Sequence, residues 1–155
     1  MAIFQPVVFR LDRELYGVDI SCVEAIENSR EIVRVPNASP NIKGITNMRG
    51  EIIPVVSMRA KFACANQKTP DEVSLIIVRL GEKKLALEVD GVEEIHNVEE
   101  NSVSDIPSVT VGEGVEYLTK VVKSGERLII VVDPLKLLSA EEQKIADSLR
   151  DTNEE

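Results

Sequence analysis

The residues best placed to make a directed contact lie in one stretch, I-K-G-I-T-N-M-R-G-E-I-I-P-V-V-S-M-R-A-K-F, from Ile42 to Phe62. Its polar cluster, Asn47, Arg49 and Gly50, falls at a loop tip, where binding residues tend to sit on a rigid scaffold. The guanidinium of Arg49 is a planar fork of donors that can grip a carboxylate or neighbouring carbonyls through two parallel bonds. Standing alone, the same tetrapeptide also reads as a tight hairpin turn, with Gly50 at positive φ and Arg49 solvated. The first reading is binding and the second is structural. Neither is catalysis.

Residues of catalytic type are sparse. The single histidine, His96, stands at the end of an expected strand with no cysteine or second histidine near it in sequence. No nucleophile elbow accompanies it. Gly112–Gly114 (G-E-G) lacks the third glycine and the strand-to-helix setting of a dinucleotide loop. Glu93-Glu94 and Glu99-Glu100 are adjacent acids on extended chain, so each pair points to opposite sides and forms no acid/base dyad. Cys22 and Cys64 have neither metal-ligand nor redox spacing and read as reduced, partly buried thiols, with a disulfide between them the alternative. A binding module without catalytic residues, metal or cofactor is the expectation.

The elements that would position Arg49 come from a repeat. V-V-F-R-L-D-R-E (Val7 to Glu14) recurs as I-I-V-R-L-G-E-K (Ile76 to Lys83), and G-V-D-I-S-C-V-E-A-I-E-N (Gly17 to Asn28) as A-L-E-V-D-G-V-E-E-I-H-N (Ala86 to Asn97). Later, I-I-P-V-V-S-M-R-A-K-F (Ile52 to Phe62) recurs as L-I-I-V-V-D-P-L-K-L-L (Leu128 to Leu138). Each copy opens with a hairpin (Val7–Leu11 with Tyr16–Ile20; Leu75–Leu80 with Leu85–Val89) and a third run around Val23–Ile26 or Val92–Val98. Each closes on an apolar strand that enters a helix at a capping residue, Ser57 or Asp133, the latter followed by Pro134. Ser39-Pro40 ahead of Ile42 and Gly44 reads as a separate helical turn. Ser139 and Glu142 form a capping box for a helix over 139–150, and residues 151–155 form a disordered tail.

Short strands at even spacing predict a mainly β fold, a barrel or sandwich. Closing each copy into a five-stranded barrel removes unpaired edges. The predicted organisation is one domain over 1–140, built of two pseudo-symmetric lobes (about 7–70 and 71–138) sharing a core. A chain of 155 residues, 43% of them hydrophobic, is long enough to bury such a core. No apolar run approaches the ~20 residues of a membrane span, so no direct membrane insertion is expected. The net charge of −9 argues against nucleic acid as the main partner. Residues 1–69 carry nine basic and seven acidic side chains, whereas 70–155 carry nine and twenty. Unlike fields on two like lobes predict two different binding surfaces, although acidity also serves solubility.

Phe9 to Ile20 (F-R-L-D-R-E-L-Y-G-V-D-I), Val23 to Ile26, Ile42 to Val56, Tyr117 to Thr119 (Y-L-T) and Arg127 to Asp133 stand in an order that resembles the CheW family of bacterial chemotaxis coupling proteins. The resemblance runs over about residues 5 to 140, and N-x-R-G-x-x-x-P is its most specific motif. It implies two five-stranded barrels around a shared core. It also implies a non-catalytic cytoplasmic adaptor recruited to membrane-bound receptor arrays. Such an adaptor joins the cytoplasmic tips of methyl-accepting chemotaxis receptors to the regulatory domain of the histidine kinase CheA.

By the same carry-over, Arg49, flanked by Asn47 and Gly50, is a functional position, and Val23 and Ile26 lie in a receptor-contacting groove between the lobes. The kinase would be met through barrel ends. Ser57 stands where the family usually has Asp, and Lys120 where Gly is frequent after Y-L-T. A CheW paralogue serving another receptor–kinase pathway, such as surface motility, is an alternative. A small-molecule-binding double barrel is another, but it requires converging polar residues that the sequence does not display.

Overall fold

The computed structural model describes residues 3–28, 31–35, 41–61, 73–95, 98–99, 102–105 and 118–136. The strands are β1 (Ile3–Phe4), β2 (Pro6–Leu11), β3 (Glu14–Asp19), β4 (Val23–Asn28), β5 (Ile42–Met48), β6 (Glu51–Ser57) and β7 (Ser74–Leu80). They continue with β8 (Lys83–Val89), β9 (Gly91–Ile95), β10 (Val98–Glu99), β11 (Val103–Asp105), β12 (Leu118–Ser124) and β13 (Arg127–Val132). One helical turn, α1 (Met58–Lys61), follows β6, and 3-10 turns occupy Ile20–Cys22 and Pro134–Lys136. The fold is mainly β, as expected.

The strands form one sheet ordered β11-β12-β13-β3-β2-β9, a second ordered β4-β7-β8-β6-β5, and the short pair β1-β10. The two larger sheets obey the repeat register for register. Val7 lies opposite Ile95 as Ile26 lies opposite Ile76, and Phe9 opposite Val92 as Val23 opposite Val78. The parallel pairings correspond too: Val131 with Gly17, and Val55 with Ala86. So do the hairpin closures at Ser124/Arg127 and Met48/Glu51.

The first hairpin of each copy, however, belongs to the other copy's sheet. β2–β3 joins β9 and β11–β13, while β7–β8 joins β4–β6. The boundary expected at residues 70/71 divides the copies in sequence and does not divide the sheets. The cause is local. The chain leaves β3 through Ile20–Cys22, and β8 through the single residue Asp90. Each step hands the third strand across to the opposite sheet.

This exchange explains the unbroken apolar runs of β2 and β7. Val7, Phe9 and Leu11 enter a central cluster with Ile76, Val78, Leu85, Leu87 and Met58. Val8, from the other face of β2, enters the core of its own lobe with Leu15, Val122 and Ile129. Leu75 and Ile77, from the other face of β7, pack with Met48, Ile53 and Val55. Strands buried on both faces lose the usual alternation of apolar and polar residues. Phe9 and Tyr16 stack with ring centroids 5.8 Å apart inside the central cluster.

Ser57 behaves as its capping type requires. The Ser57 hydroxyl accepts the Ala60 N–H at 3.3 Å over α1. After Asp133, Pro134 opens the matching 3-10 turn. Ser39-Pro40, where a helical turn is expected, lie outside the described residues, and from Ile42 the chain is strand β5. Gly44 is needed there for close approach: a Cβ would stand 2.1 Å from the Val33 carbonyl oxygen. Val33 and Ile45 exchange both backbone bonds, at 2.8 and 2.9 Å. This bridge joins the chain beyond β4 to β5 and closes the second sheet on itself. His96, Cys64, Gly112–Gly114, Tyr117 and the segments 139–150 and 151–155 lie outside the described residues. Cys22 is a free, half-buried thiol.

Gly44→Ala is expected to force the Val33 backbone outward and to cost about 2–3 kcal/mol, the scale of an overpacked core site. Urea unfolding of the variant measures this directly. A loss below ~0.5 kcal/mol would show that the bridge does not hold the barrel shut.

Candidate functional site

The β5–β6 connection is a tight turn through Arg49 and Gly50. Both residues have positive φ, +56° and +87°. Glycine reaches that region freely, but an arginine there places its Cβ against its own backbone. The matched turn of the second copy has Gly125 at φ +62° where the first has Arg49. An arginine therefore holds a position for which the fold favours glycine, and such outliers persist mainly where function requires them. Asn47 supports the turn, its side-chain oxygen accepting the Gly50 N–H at 3.0 Å. Asn47 thus shapes the loop, while space around a Gly50 Cβ would be open.

Arg49 projects from the surface at 80% exposure and makes an ion pair with Glu27 of β4 at 3.7 Å. Barrel closure explains the meeting. Val33 opposite Ile45 sets an antiparallel register between the chain beyond β4 and β5. Run back down both strands, that register brings the Arg49 turn level with the end of β4. An exposed pair of this length is worth at most about 0.5 kcal/mol, so it orients the guanidinium and does little to hold the fold.

Ile26, beside Glu27 in sequence, is one of the large apolar side chains left exposed, at 43%. Val23 lies three residues earlier and packs against the central cluster. Strict alternation would put Val23 and Ile26 on opposite faces. A bulge between Val23 and Ala25 shifts the register, so Val23 lies opposite Val78 and Ile26 opposite Ile76. Both partners belong to the central, interlobe cluster. The bulge therefore returns Val23 and Ile26 to one face, between the two sheets, with Ile26 at its exposed rim. Ala25 turns instead into the core of the second sheet. The candidate site residues fall into two adjoining groups: the Asn47-Arg49-Gly50 turn, and the Val23/Ile26 stripe reached through Glu27.

Charged neighbours frame the base of the same sheet. Lys84 bridges Glu51 at 2.9 Å and Glu24 at 3.0 Å. Hydrogen bonds to Glu51 and then Glu24 push the Lys84 ammonium above its ordinary range. Arg79 adds a looser contact to Glu24 at 3.8 Å.

One constellation escapes the sequence reading. Arg59 of α1, 7% exposed, clamps Asp90 through Nε and Nη2, both at 2.7 Å, and reaches Asp12 at 2.5 Å. The Asp12 N–H also donates to Asp90 at 2.7 Å. The Asp90 hydrogen bond, the largest influence, and the two carboxylate charges hold the guanidinium above even its ordinary basicity, against the opposing effect of burial. The single hint in the sequence is Asp12, which occupies a left-handed turn position (φ +55°) matched by Gly81.

Comparison with known proteins agrees with this fold. A family model described as the CheW-like domain matches residues 5–142. The chain is 34% identical over 143 residues to the chemotaxis protein CheW of Klebsiella aerogenes, covering 92% of this chain and 86% of that one. It is 35% identical over 149 residues to the chemotaxis protein CheW of Treponema pallidum, covering 93% and 88%. The crystal structure of the scaffolding protein TtCheW from Thermoanaerobacter tengcongensis superposes with a TM-score of 0.83 at 30% identity, over 91% of this chain and 96% of that one. Matched along nearly its whole length in sequence and in fold, the chain belongs to the CheW-like family, the non-catalytic coupling scaffolds of bacterial chemotaxis.

Proposed function

We propose that this chain couples the cytoplasmic tips of methyl-accepting chemotaxis receptors to the regulatory domain of the histidine kinase CheA. It would act in the cytoplasm, at membrane-bound receptor arrays. The observation that carries the reading is Arg49, an exposed arginine kept in a left-handed turn where the repeat has glycine. Such a residue contributes little to folding, and its ion partner Glu27 is the chain neighbour of the apolar Ile26 of the interlobe face. An apolar stripe with an arginine at its border is the usual composition of a contact that anchors a partner. A receptor tip would lie along Val23 and Ile26, with Arg49 gripping a carboxylate or carbonyl through its fork. The kinase domain would use barrel ends, where the lobes differ in charge. Among the described residues, no helix is long and apolar enough to cross a membrane, and the net charge of −9 disfavours nucleic acid.

Capture of the kinase regulatory domain by the chain, with and without a receptor-tip fragment, tests the coupling. Failure to retain either partner sinks it. Arg49→Gly separates anchor from brace. Glycine removes the fork and relieves the left-handed backbone, so stability is expected to hold or rise by about 1 kcal/mol. Receptor or kinase binding is expected to weaken by ~2 kcal/mol, with Arg13→Ala in the β2–β3 turn as a control of no effect. A lower melting temperature with undiminished binding per folded molecule would make Arg49 a structural brace. Incubation with phosphorylated kinase is expected to leave the chain unlabelled. Reproducible phosphotransfer to it would overturn the adaptor reading.

A further inference from the structure

The two crossovers that pass the chain between the sheets are equivalent under the repeat and differ in how they are held. At the β8–β9 crossover, Asp90 is gripped by Arg59, which follows β6 of one sheet, and both contact Asp12, in the β2–β3 turn of the other. Arg59 and Asp90 side chains are each 8% exposed. The Asp90 N–H further donates to the Arg10 carbonyl of β2 at 3.0 Å. At the β3–β4 crossover the matched residues are Ser21 for Asp90, Gly81 for Asp12 and Leu135 for Arg59, so none of the three charges has a counterpart. That crossover is a 3-10 turn whose Asp19 side chain accepts the Ser21 N–H at 3.0 Å and whose Ile20 N–H donates to the Gln5 carbonyl at 2.9 Å. Ile20, Cys22 and Val23 pack it against the central cluster.

Apolar packing tolerates small sliding, whereas a buried bidentate pair fixes distance and angle together. A buried ion cluster is weak evidence for stability, because desolvation offsets its attraction. Its worth here is geometric. We propose that Arg59 is a positioning residue for partner binding: by tying Asp90 and Asp12 together it fixes how the two lobes sit against each other, and hence the interlobe face on which Val23 and Ile26 lie, without itself touching the partner. The β3–β4 crossover, which packs through apolar side chains and leads directly into Val23, is the compliant side on which that face adjusts. The binding half of this inference rests on the receptor reading above. The lobe-fixing half does not.

The test uses the full chain with Cys22 and Cys64 replaced by serine and spin labels at Glu82, in the β7–β8 turn, and Glu126, in the β12–β13 turn, on the two different sheets. Arg59→Met is expected to broaden the interlobe distance distribution and to weaken receptor-tip binding roughly tenfold, the usual scale for a site coupled through a scaffold. Arg59→Lys is expected to fail to rescue either readout, since a point charge cannot reproduce the fork. Asp12→Gly guards against a variant that does not fold. It removes one carboxylate and places glycine at a left-handed position, so melting is held while the distances broaden and binding falls about threefold. Unchanged distances in folded Arg59→Met, or in Asp12→Gly if Arg59→Met does not fold, overturn the proposal. Broadened distances with unchanged receptor binding overturn the positioning role and leave the lobe clamp. Wild-type chain that binds no receptor tip counts against the receptor reading, and the distance measurement then still decides the clamp.

Discussion

Everything in this molecule depends on two strands that are buried on both faces. β2 and β7 each send one set of side chains into a lobe and the other into the shared central cluster. Because each strand sits in the sheet of the opposite copy, neither half of the sequence can close a barrel alone. Residues Val7, Val8 and Phe9 are fully buried together, as are Leu75, Ile76 and Val78. An isolated lobe would present one of these runs to water, at roughly 1.5–3 kcal/mol for each large side chain exposed. A scaffold that must hold two partners in a fixed relation gains directly from this arrangement. Its two surfaces are welded through one core and not joined by a linker.

Pseudo-symmetry provides two of everything, and function appears where the copies part. Both β-hairpin turns of the β5–β6 type need a left-handed residue, and glycine fills the second while Arg49 fills the first. The paired β2–β3 and β7–β8 turns show the same divergence, Asp12 against Gly81. In each case a residue with a strong polar side chain replaces the one that the backbone prefers, and each time that side chain engages an ion partner, Glu27 or Arg59. Departures from local preference concentrate where a structure does something beyond folding. The excess of acid in the second half is the same divergence at longer range.

Much of this was legible in the sequence, for stated reasons. The ungapped matches from Val7 and from Ile52 gave strand positions, hairpin turns and caps, and all pair in equivalent registers. The exchange of hairpins was not legible, because a self-match says which strands correspond and nothing about which strands pair. Nor did periodicity reveal the bulge at Glu24. Alternation places Val23 and Ile26 on opposite faces, and only the pairing with Val78 and Ile76 returns them to one. Gly44 was read as punctuation after a helical turn, although its role is to let two backbones touch. Arg59 was hidden most completely: an arginine two residues after a capping serine is ordinary on an exposed turn, and its burial depends on Asp12 and Asp90, both distant in sequence.

The two arginines illustrate how placement determines what the same side chain does. Arg59 is buried against Asp90, with the exposed Asp12 at its edge, so much of its Coulomb attraction is offset by lost hydration, and what remains is directional. Arg49 is exposed, its ion pair with Glu27 is screened by solvent, and its backbone is strained in the left-handed region. Neither earns its place through net stability. For Arg59 the residue fixes an angle between lobes, and for Arg49 it offers a donor fork at the edge of an apolar stripe. A surface arginine of that kind gains most when a partner covers it, because a bond that water screens in the free chain is desolvated in the complex. On the proposed binding role, a turn whose conformation is already set by Asn47 would need little further ordering when a partner covers it.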